Sequence, residues 1–115
     1  MDARHAVAAM QALGHEARLA TFRALVRAGS SGLSVAEIQD ALDGMPRSTL
    51  AHHLGKLVAA GLVQQERRGA EVVSRARYDV ADDLVAYLTD ECCVAEGRSD
   101  TVRDATVEPH FLDRP

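Results

Sequence analysis

The sequence predicts a mainly α-helical domain with one β-hairpin, and three observations support that fold class. The 115 residues are a length typical of a single domain. Up to residue 61, apolar residues recur at the spacing of amphipathic helices. Between residues 62 and 78, two extended segments flank a charged turn, which is the pattern of a hairpin. We expect the domain to span residues 1–94, and residues 95–115 to form a flexible C-terminal tail.

Apolar spacing predicts the first two helices. One spans Ala3 to Leu13, and the next follows the break at Gly14 and stops at Gly29. One side of the second helix is formed by Leu19, Phe22, Leu25 and Val26.

A short helix, a tight turn and a longer helix are predicted between residues 34 and 61. Ser34 and Glu37 have the spacing at which a hydroxyl and a carboxylate satisfy the first amides of a helix. The turn-forming residues 43–46, which end in a proline, close this short helix. The longer helix should cover residues 47–60, with Gly61 in the left-handed conformation that ends it.

A hairpin and a last helix complete the domain. Residues 62–66 and 72–78 form the two extended segments, with Arg67 and Arg68 at the tip between them. The last helix is predicted from Asp79 to Cys93. Its apolar residues are Leu84, Val85, Tyr87 and Leu88. A helix-turn-helix followed by a basic hairpin is the order of a winged helix-turn-helix.

Charge is distributed unevenly along the chain. The net charge is −4, from 13 basic and 17 acidic residues. Residues 1–78 hold 10 basic and 7 acidic side chains, a balance of +3, whereas residues 79–115 hold 3 and 10, a balance of −7. Residues 47–78 alone hold 6 basic and 2 acidic groups, a balance of +4. The acidic total therefore does not argue against a polyanionic partner.

The sequence disfavours membrane proteins, secreted proteins and enzymes. No apolar run approaches the ~18 residues of a membrane span, and the first residues lack the pattern of a secretory signal. We therefore expect a cytoplasmic protein with no membrane partner. We find no nucleophile, general base or glycine-rich loop in a sequence context that would position it for catalysis. Neither catalytic residues nor a permanent cofactor is expected.

The longer helix of the helix-turn-helix has two chemically different sides. An advance of about 100° per residue places one set inward: Leu50, Leu54, Leu57 and Val58. The opposite side presents Ser48, Thr49, His52 and Lys56. Hydroxyl, imidazole and ammonium groups can bond to phosphates and base edges, and a helix N-terminus attracts phosphate. We therefore predict that this side binds double-stranded DNA.

The hairpin adds positive charge beside this helix. Arg67 and Arg68 at its tip, with Arg75 and Arg77 on its return strand, would neutralise DNA phosphates. Two less specific interpretations stay open: the polar helix side could be an ordinary solvated surface, and the tip arginines could serve only solubility. A winged helix that binds proteins without binding DNA is the corresponding alternative.

Two adjacent histidines occupy the middle of the longer helix. His53 is expected to flank the exposed side, packed against the preceding helix, and is included with the DNA-binding residues. A metal site at His52 and His53 is disfavoured because neighbouring helical residues diverge by about 100°. Moreover, neither histidine has a Cys, Asp or Glu one helical turn away.

Four segments together resemble the ArsR family of bacterial metalloregulators. They are residues 12–19 (ALGHEARL), residues 48–54 (STLAHHL), residues 60–63 (AGLV) and the basic hairpin that closes on Tyr78. The likeness covers roughly residues 5–93. It implies a homodimer, packed through its first and last helices, that presents two recognition helices to a palindromic operator. It also implies a repressor that releases DNA when a metal or metalloid inducer binds.

The chain has two cysteines, Cys92 and Cys93, near the predicted end of the last helix. They could be no more than small buried residues, and a disulfide between neighbours would be strained. Two adjacent thiolates can also chelate one thiophilic centre. The resemblance favours chelation, because a Cys-Cys pair at this place is similar to the sensing site of repressors that respond to trivalent arsenicals and antimonite.

Two thiols leave the coordination of inorganic arsenite incomplete, and three explanations are open. Water, hydroxide or a small thiol could complete it, the inducer could be an organoarsenical, or two subunits could share a site. His110 is a weak candidate for a further ligand. The alternative function is a winged-helix repressor that responds through thiol oxidation or to another effector.

Overall fold

A computed structural model describes residues 1–96 and confirms the predicted fold class, a mainly helical winged helix-turn-helix. In chain order its elements are α1 (Ala3–Leu13), α2 (Glu16–Ala28), β1 (Leu33–Ser34), α3 (Val35–Ala41), α4 (Arg47–Ala59), β2 (Val63–Arg68), β3 (Glu71–Ala76) and α5 (Tyr78–Thr89). Short 3₁₀ turns cover Gly29–Ser31 and Val94–Glu96. Most of the predicted tail, including His110, lies outside the described residues.

The predicted start of α3 and end of α4 are both present. The Glu37 amide donates to Ser34 Oγ at 3.2 Å, and the Ser34 amide donates to Glu37 Oε1 at 2.8 Å, which completes the capping box. At the end of α4, Gly61 has a φ of 80°. Its amide donates to the carbonyl of Val58, and the amide of Leu62 donates to that of Leu57. This is the Schellman arrangement that ends a helix.

The sheet has one strand more than the sequence predicts. Its order is β1-β3-β2, and all pairs are antiparallel. β1 consists of two residues, which are too few to show an alternating pattern, and it forms because Leu33 pairs with Ser74 of β3. The preceding Gly32 permits this approach, since a Cβ there would lie 2.5 Å from the Ser74 carbonyl oxygen. The extra strand anchors the base of the hairpin to the helices.

The hydrophobic core lies between the helices and the inner side of the sheet. Its most buried large side chains are Leu25, Ile38, Leu50, Leu57 and Leu62. Helix α1 contributes three buried alanines, Ala6, Ala9 and Ala12, and its last residue, half-buried Leu13, packs against this core. Val58 was predicted to face inward, but it is 38% exposed because it lies about 100° around α4 from Leu57, at the margin of the apolar side.

Several large apolar side chains remain exposed on the single chain, and they concentrate on α1 and α5. Val7 and Met10 of α1 are 48% and 42% exposed. On α5, Val85 and Leu88 are 63% and 57% exposed, while Leu84 is buried. Helices α1 and α5 contact each other. Their exposed apolar residues therefore belong to neighbouring helices.

Helix α5 is shorter than predicted. It ends at Thr89, and Asp90 has an extended backbone with a ψ of 139°. Asp90 and Glu91 place negative charge at the negative end of the helix dipole, where basic residues are stabilising, and this favours termination. Cys92 and Cys93 therefore lie in a turn after the helix, not within it. Within residues 1–96, no helix is long and apolar enough to cross a membrane.

Candidate nucleic-acid interface and thiol pair

Helix α4 presents the predicted polar side to solvent. Ser48, Thr49, His52 and Lys56 are all exposed, whereas Leu50, Leu54 and Leu57 on the other side are buried. In the part of the chain that the structure describes, no side chain caps the first turn of α4, which follows Pro46. The amide groups of this turn are thus available to acceptors such as phosphate oxygens. We define the four exposed residues as the reading side of α4.

His53 does not share this exposure, which contradicts its prediction as a DNA-binding residue, although it packs against a preceding helix as expected. Its side chain is buried, and its ring centroid lies 4.8 Å from that of His15, the residue that caps α2. Its Nδ1 atom has no hydrogen-bond partner among residues 1–96. Burial, and then the neighbouring His15, Arg18 and His52, lower the pKa of His53 below its usual range. His53 therefore joins α4 to α2 as a neutral side chain.

Two exposed arginines lie at the tip of the hairpin, as predicted. They are the last two residues of β2. Arg68 pairs with Glu71 and Arg67 with Val72, so the two-residue turn consists of Gly69 and Ala70. The only ion pair recorded for these arginines in residues 1–96 is an exposed contact of 3.6 Å between Arg68 Nε and a Glu66 carboxylate oxygen. An exposed pair of this kind contributes little, so both cations can reach a phosphate.

The two arginines of the return strand have partners within the chain, and their predicted contacts with phosphates stay a prediction. Arg75 donates to the Ser30 carbonyl and to Glu66 Oε1, both at 2.8 Å. Arg77 lies after β3 and donates two hydrogen bonds to Asp79, at 3.1 and 2.8 Å. These bonds raise the pKa of Arg77 and lower that of Asp79. Arg75 thus links β3 to Ser30 and β2, whereas the Arg77 pair lies where β3 leads into α5.

The two thiols converge on the turn that follows α5. The Sγ atoms of Cys92 and Cys93 lie 3.3 Å apart, and both residues are half-buried. This distance is far beyond a disulfide bond of about 2.05 Å, so the two sulfur atoms are not bonded to each other. Glu91 and Cys93 have φ angles of 60° and 66° in the left-handed region, which bends the turn sharply. The described residues contain no group of three or more His, Cys, Asp or Glu side chains that could hold a metal ion.

Comparison with known proteins agrees with this architecture. A family model described as a helix-turn-helix domain matches residues 13–66. An ArsR-like transcriptional regulator from Rhodococcus sp. RHA1 has a TM-score of 0.70 at 23% identity, covering 87% of this chain and 91% of that one. The transcriptional repressor BigR from Xylella fastidiosa has a TM-score of 0.59 at 27% identity, covering 78% and 89%. No match is found among curated proteins.

The fold and these likenesses define a DNA-binding helix-turn-helix transcriptional regulator. Its winged fold is of the ArsR type, as in a second ArsR family regulator with a TM-score of 0.70 at 20% identity, covering 86% of this chain and 98% of that one. All three of these structures are described as transcriptional regulators or repressors.

Proposed function

We propose that this protein is a homodimeric transcriptional repressor that releases its operator when a trivalent arsenical binds Cys92 and Cys93. Arsenite, antimonite and organoarsenicals belong to this inducer class. The observation that carries the proposal is the 3.3 Å separation of the two sulfur atoms on one short turn. Such a pair of thiols preferentially binds thiophilic metal or metalloid centres.

The sulfur separation favours a narrow coordination angle. With metal–sulfur bonds of about 2.3 Å, a tetrahedral centre would hold its sulfurs ~3.8 Å apart. With bonds of the same length, the observed 3.3 Å corresponds to an angle of about 90°. Trivalent arsenic, whose lone pair compresses its bonds into a pyramid, has such narrow angles. The observed separation therefore fits the narrow angle of a pyramidal centre.

The binding reaction needs no oxidant. An aryl arsenoxide condenses with two thiols, forms two arsenic–sulfur bonds and releases one water molecule. Arsenous acid forms the same two bonds, releases two water molecules and keeps one hydroxyl. Both routes consume the thiol protons of Cys92 and Cys93 and leave the oxidation state of arsenic unchanged.

The exposed apolar residues of α1 and α5 support a dimer through these helices. Val7 and Met10 on one helix, and Val85 and Leu88 on the other, would be covered by a second copy of the chain. The turn that holds Cys92 and Cys93 lies beside this surface, because Leu88 precedes it and Val94, which is 54% exposed, follows it directly. A ligand that reshapes the turn would thereby alter the subunit contact and the spacing of the two α4 helices.

In the proposed complex, the reading side of α4 enters the major groove. Ser48, Thr49 and His52 contact base edges, and Lys56, Arg67 and Arg68 contact phosphates. Replacement of His52 by alanine should reduce discrimination between operator and unrelated DNA. Replacement of Arg67 and Arg68 by alanine should weaken binding to every sequence by a similar factor.

The test uses operator DNA selected by the protein from random duplexes. Phenylarsine oxide or arsenite is titrated into the complex, and release is followed by fluorescence anisotropy. The wild-type protein should release DNA, whereas the Cys92→Ser, Cys93→Ser double variant should bind DNA normally and not respond. Since the chain has 2 cysteines in total, this variant contains no thiol and is a complete control.

Three outcomes would contradict the proposal. Release of DNA by the thiol-free variant would exclude the cysteine pair as the sensor. If neither arsenical releases DNA from the wild-type protein, trivalent arsenicals are excluded as the inducer class. Release by peroxide but not by arsenicals, with the loss of two hydrogens detected by mass spectrometry, would instead establish a redox switch.

A further inference from the structure

A groove of about 300 Å³ lies beside the reading side of α4. It is bounded by the C-terminal halves of α1 and α4 and by the start of α2. Its polar lining consists of Gln11, Arg18 and Lys56, and the rest of its lining is alanine. Three helices thus bring together polar groups that are far apart in the sequence.

The groove is positively charged and contains no carboxylate in its lining. Half-buried Arg18 is held in place because its Nε donates to the Ala12 carbonyl at 2.8 Å. Within residues 1–96, no ion pair is recorded for Arg18 or for Lys56. Two cations that face one groove without neutralisation favour an anionic ligand there.

The position of Lys56 indicates which anion this is. Lys56 follows His52 by one helical turn, about 6 Å along α4, on the same exposed side. The groove therefore begins where the reading side of α4 ends. Phosphates line both edges of the major groove of DNA that α4 is proposed to enter. The groove of the protein is open enough to admit a phosphate that belongs to a polymer.

We propose that Gln11, Arg18 and Lys56 bind one backbone phosphate of DNA at the edge of the major groove. This contact extends the DNA interface from α4 and the hairpin to α1 and α2. Lys56 is already a predicted DNA ligand, whereas Gln11 and Arg18 are new. The inference rests on DNA binding and is independent of the arsenical response.

The test needs no operator, because phosphate contacts do not depend on sequence. Binding of a labelled mixed-sequence duplex is measured by anisotropy at low salt, without arsenical. Gln11→Glu places a carboxylate beside the two cations and should weaken binding about five-fold or more, while the Arg18 bond to Ala12 is kept. Ala20→Glu adds the same charge at an exposed position of α2 outside the groove lining, and should weaken binding less.

The salt dependence provides a second readout. Loss of one phosphate contact lowers the slope of log K against log salt by about 0.9. Arg18→Gln leaves Lys56 on the same phosphate and should lower the slope by part of this amount, whereas Arg23→Gln, on the same helix but not lining the groove, should leave the slope unchanged. Thermal unfolding of each variant shows whether the domain is still folded at the assay temperature.

Two results would overturn the proposal. In the first, Gln11→Glu and Arg18→Gln bind DNA as their controls do. In the second, DNA affinity is unchanged while inorganic phosphate raises the unfolding temperature of the wild-type protein but not of Gln11→Glu. The groove would then hold a small anion and not DNA.

Discussion

Gly55 lies in the middle of the recognition helix α4, and its replacement by alanine should stabilise the protein. A glycine within a helix costs about 0.8–1 kcal/mol relative to alanine, mainly through the freedom of the unfolded chain. A Cβ added at Gly55 meets no atom within 4 Å, so the substitution introduces no clash. We expect the free energy of unfolding to rise by about 1 kcal/mol.

The matched control is Gly61→Ala, which adds the same methyl group at the end of the same helix. A Cβ at Gly61 also meets nothing within 4 Å, but its φ of 80° lies in the left-handed region. An alanine there is strained by about 1–2 kcal/mol. The two variants therefore differ in sign for a reason that concerns the backbone conformation alone.

Urea denaturation and thermal unfolding, both followed by circular dichroism, measure the two effects at one protein concentration. For a domain of this size, 1 kcal/mol corresponds to a shift in Tm of about 4–8 °C. Gly55→Ala should raise Tm and Gly61→Ala should lower it, with unchanged m values. If Gly55→Ala lowers Tm, or if both variants shift it in the same direction, the reasoning is refuted. The gain in stability should bring no gain in DNA affinity, because the methyl group added by Gly55→Ala is not polar.

Three further predictions concern pH, capping and assembly. The ordinary pKa of His53 is 6.5 and its pKa in the folded protein is lower, so the folded state disfavours the protonated ring. The contribution of neutral His53 to the free energy of unfolding is therefore fully present above about pH 6.5 and is lost as the pH falls toward the folded pKa. Unfolding measured from about pH 7 to about pH 5 should show this loss, and the variant His53→Leu should lack it. Ser34→Ala removes the cap of α3 and should cost about 1 kcal/mol in urea denaturation, and an unchanged midpoint would contradict the capping box. Leu88→Asp should convert the proposed dimer to a monomer in analytical ultracentrifugation, whereas Leu88→Met should not; a dimeric Leu88→Asp would place the interface elsewhere.

The helix-turn-helix could be predicted because its signals are local. The capping box of Ser34, the turn before α4 and the left-handed Gly61 each depend on residues within one helical turn. The exposed polar side of α4 follows from a fixed rotation per residue. The same rule failed at Val58, because burial at the margin of a helix depends on how neighbouring elements are placed. The end of α5 was also misplaced, since helix ends are weakly encoded by apolar spacing.

The sequence by itself determined the fold class, the basic segment and the adjacency of the two cysteines. Tertiary structure decided which polar groups are available. It buried His53 against His15, engaged Arg75 and Arg77 in hydrogen bonds, and brought Arg18 beside Lys56. Apart from the bond of Arg77 to Asp79, these contacts depend on residues that are distant in sequence, and the packing of α1, α2, α4 and the sheet sets them. A charge pattern reports which cations exist, but only packing decides which of them remain unneutralised and can bind a ligand.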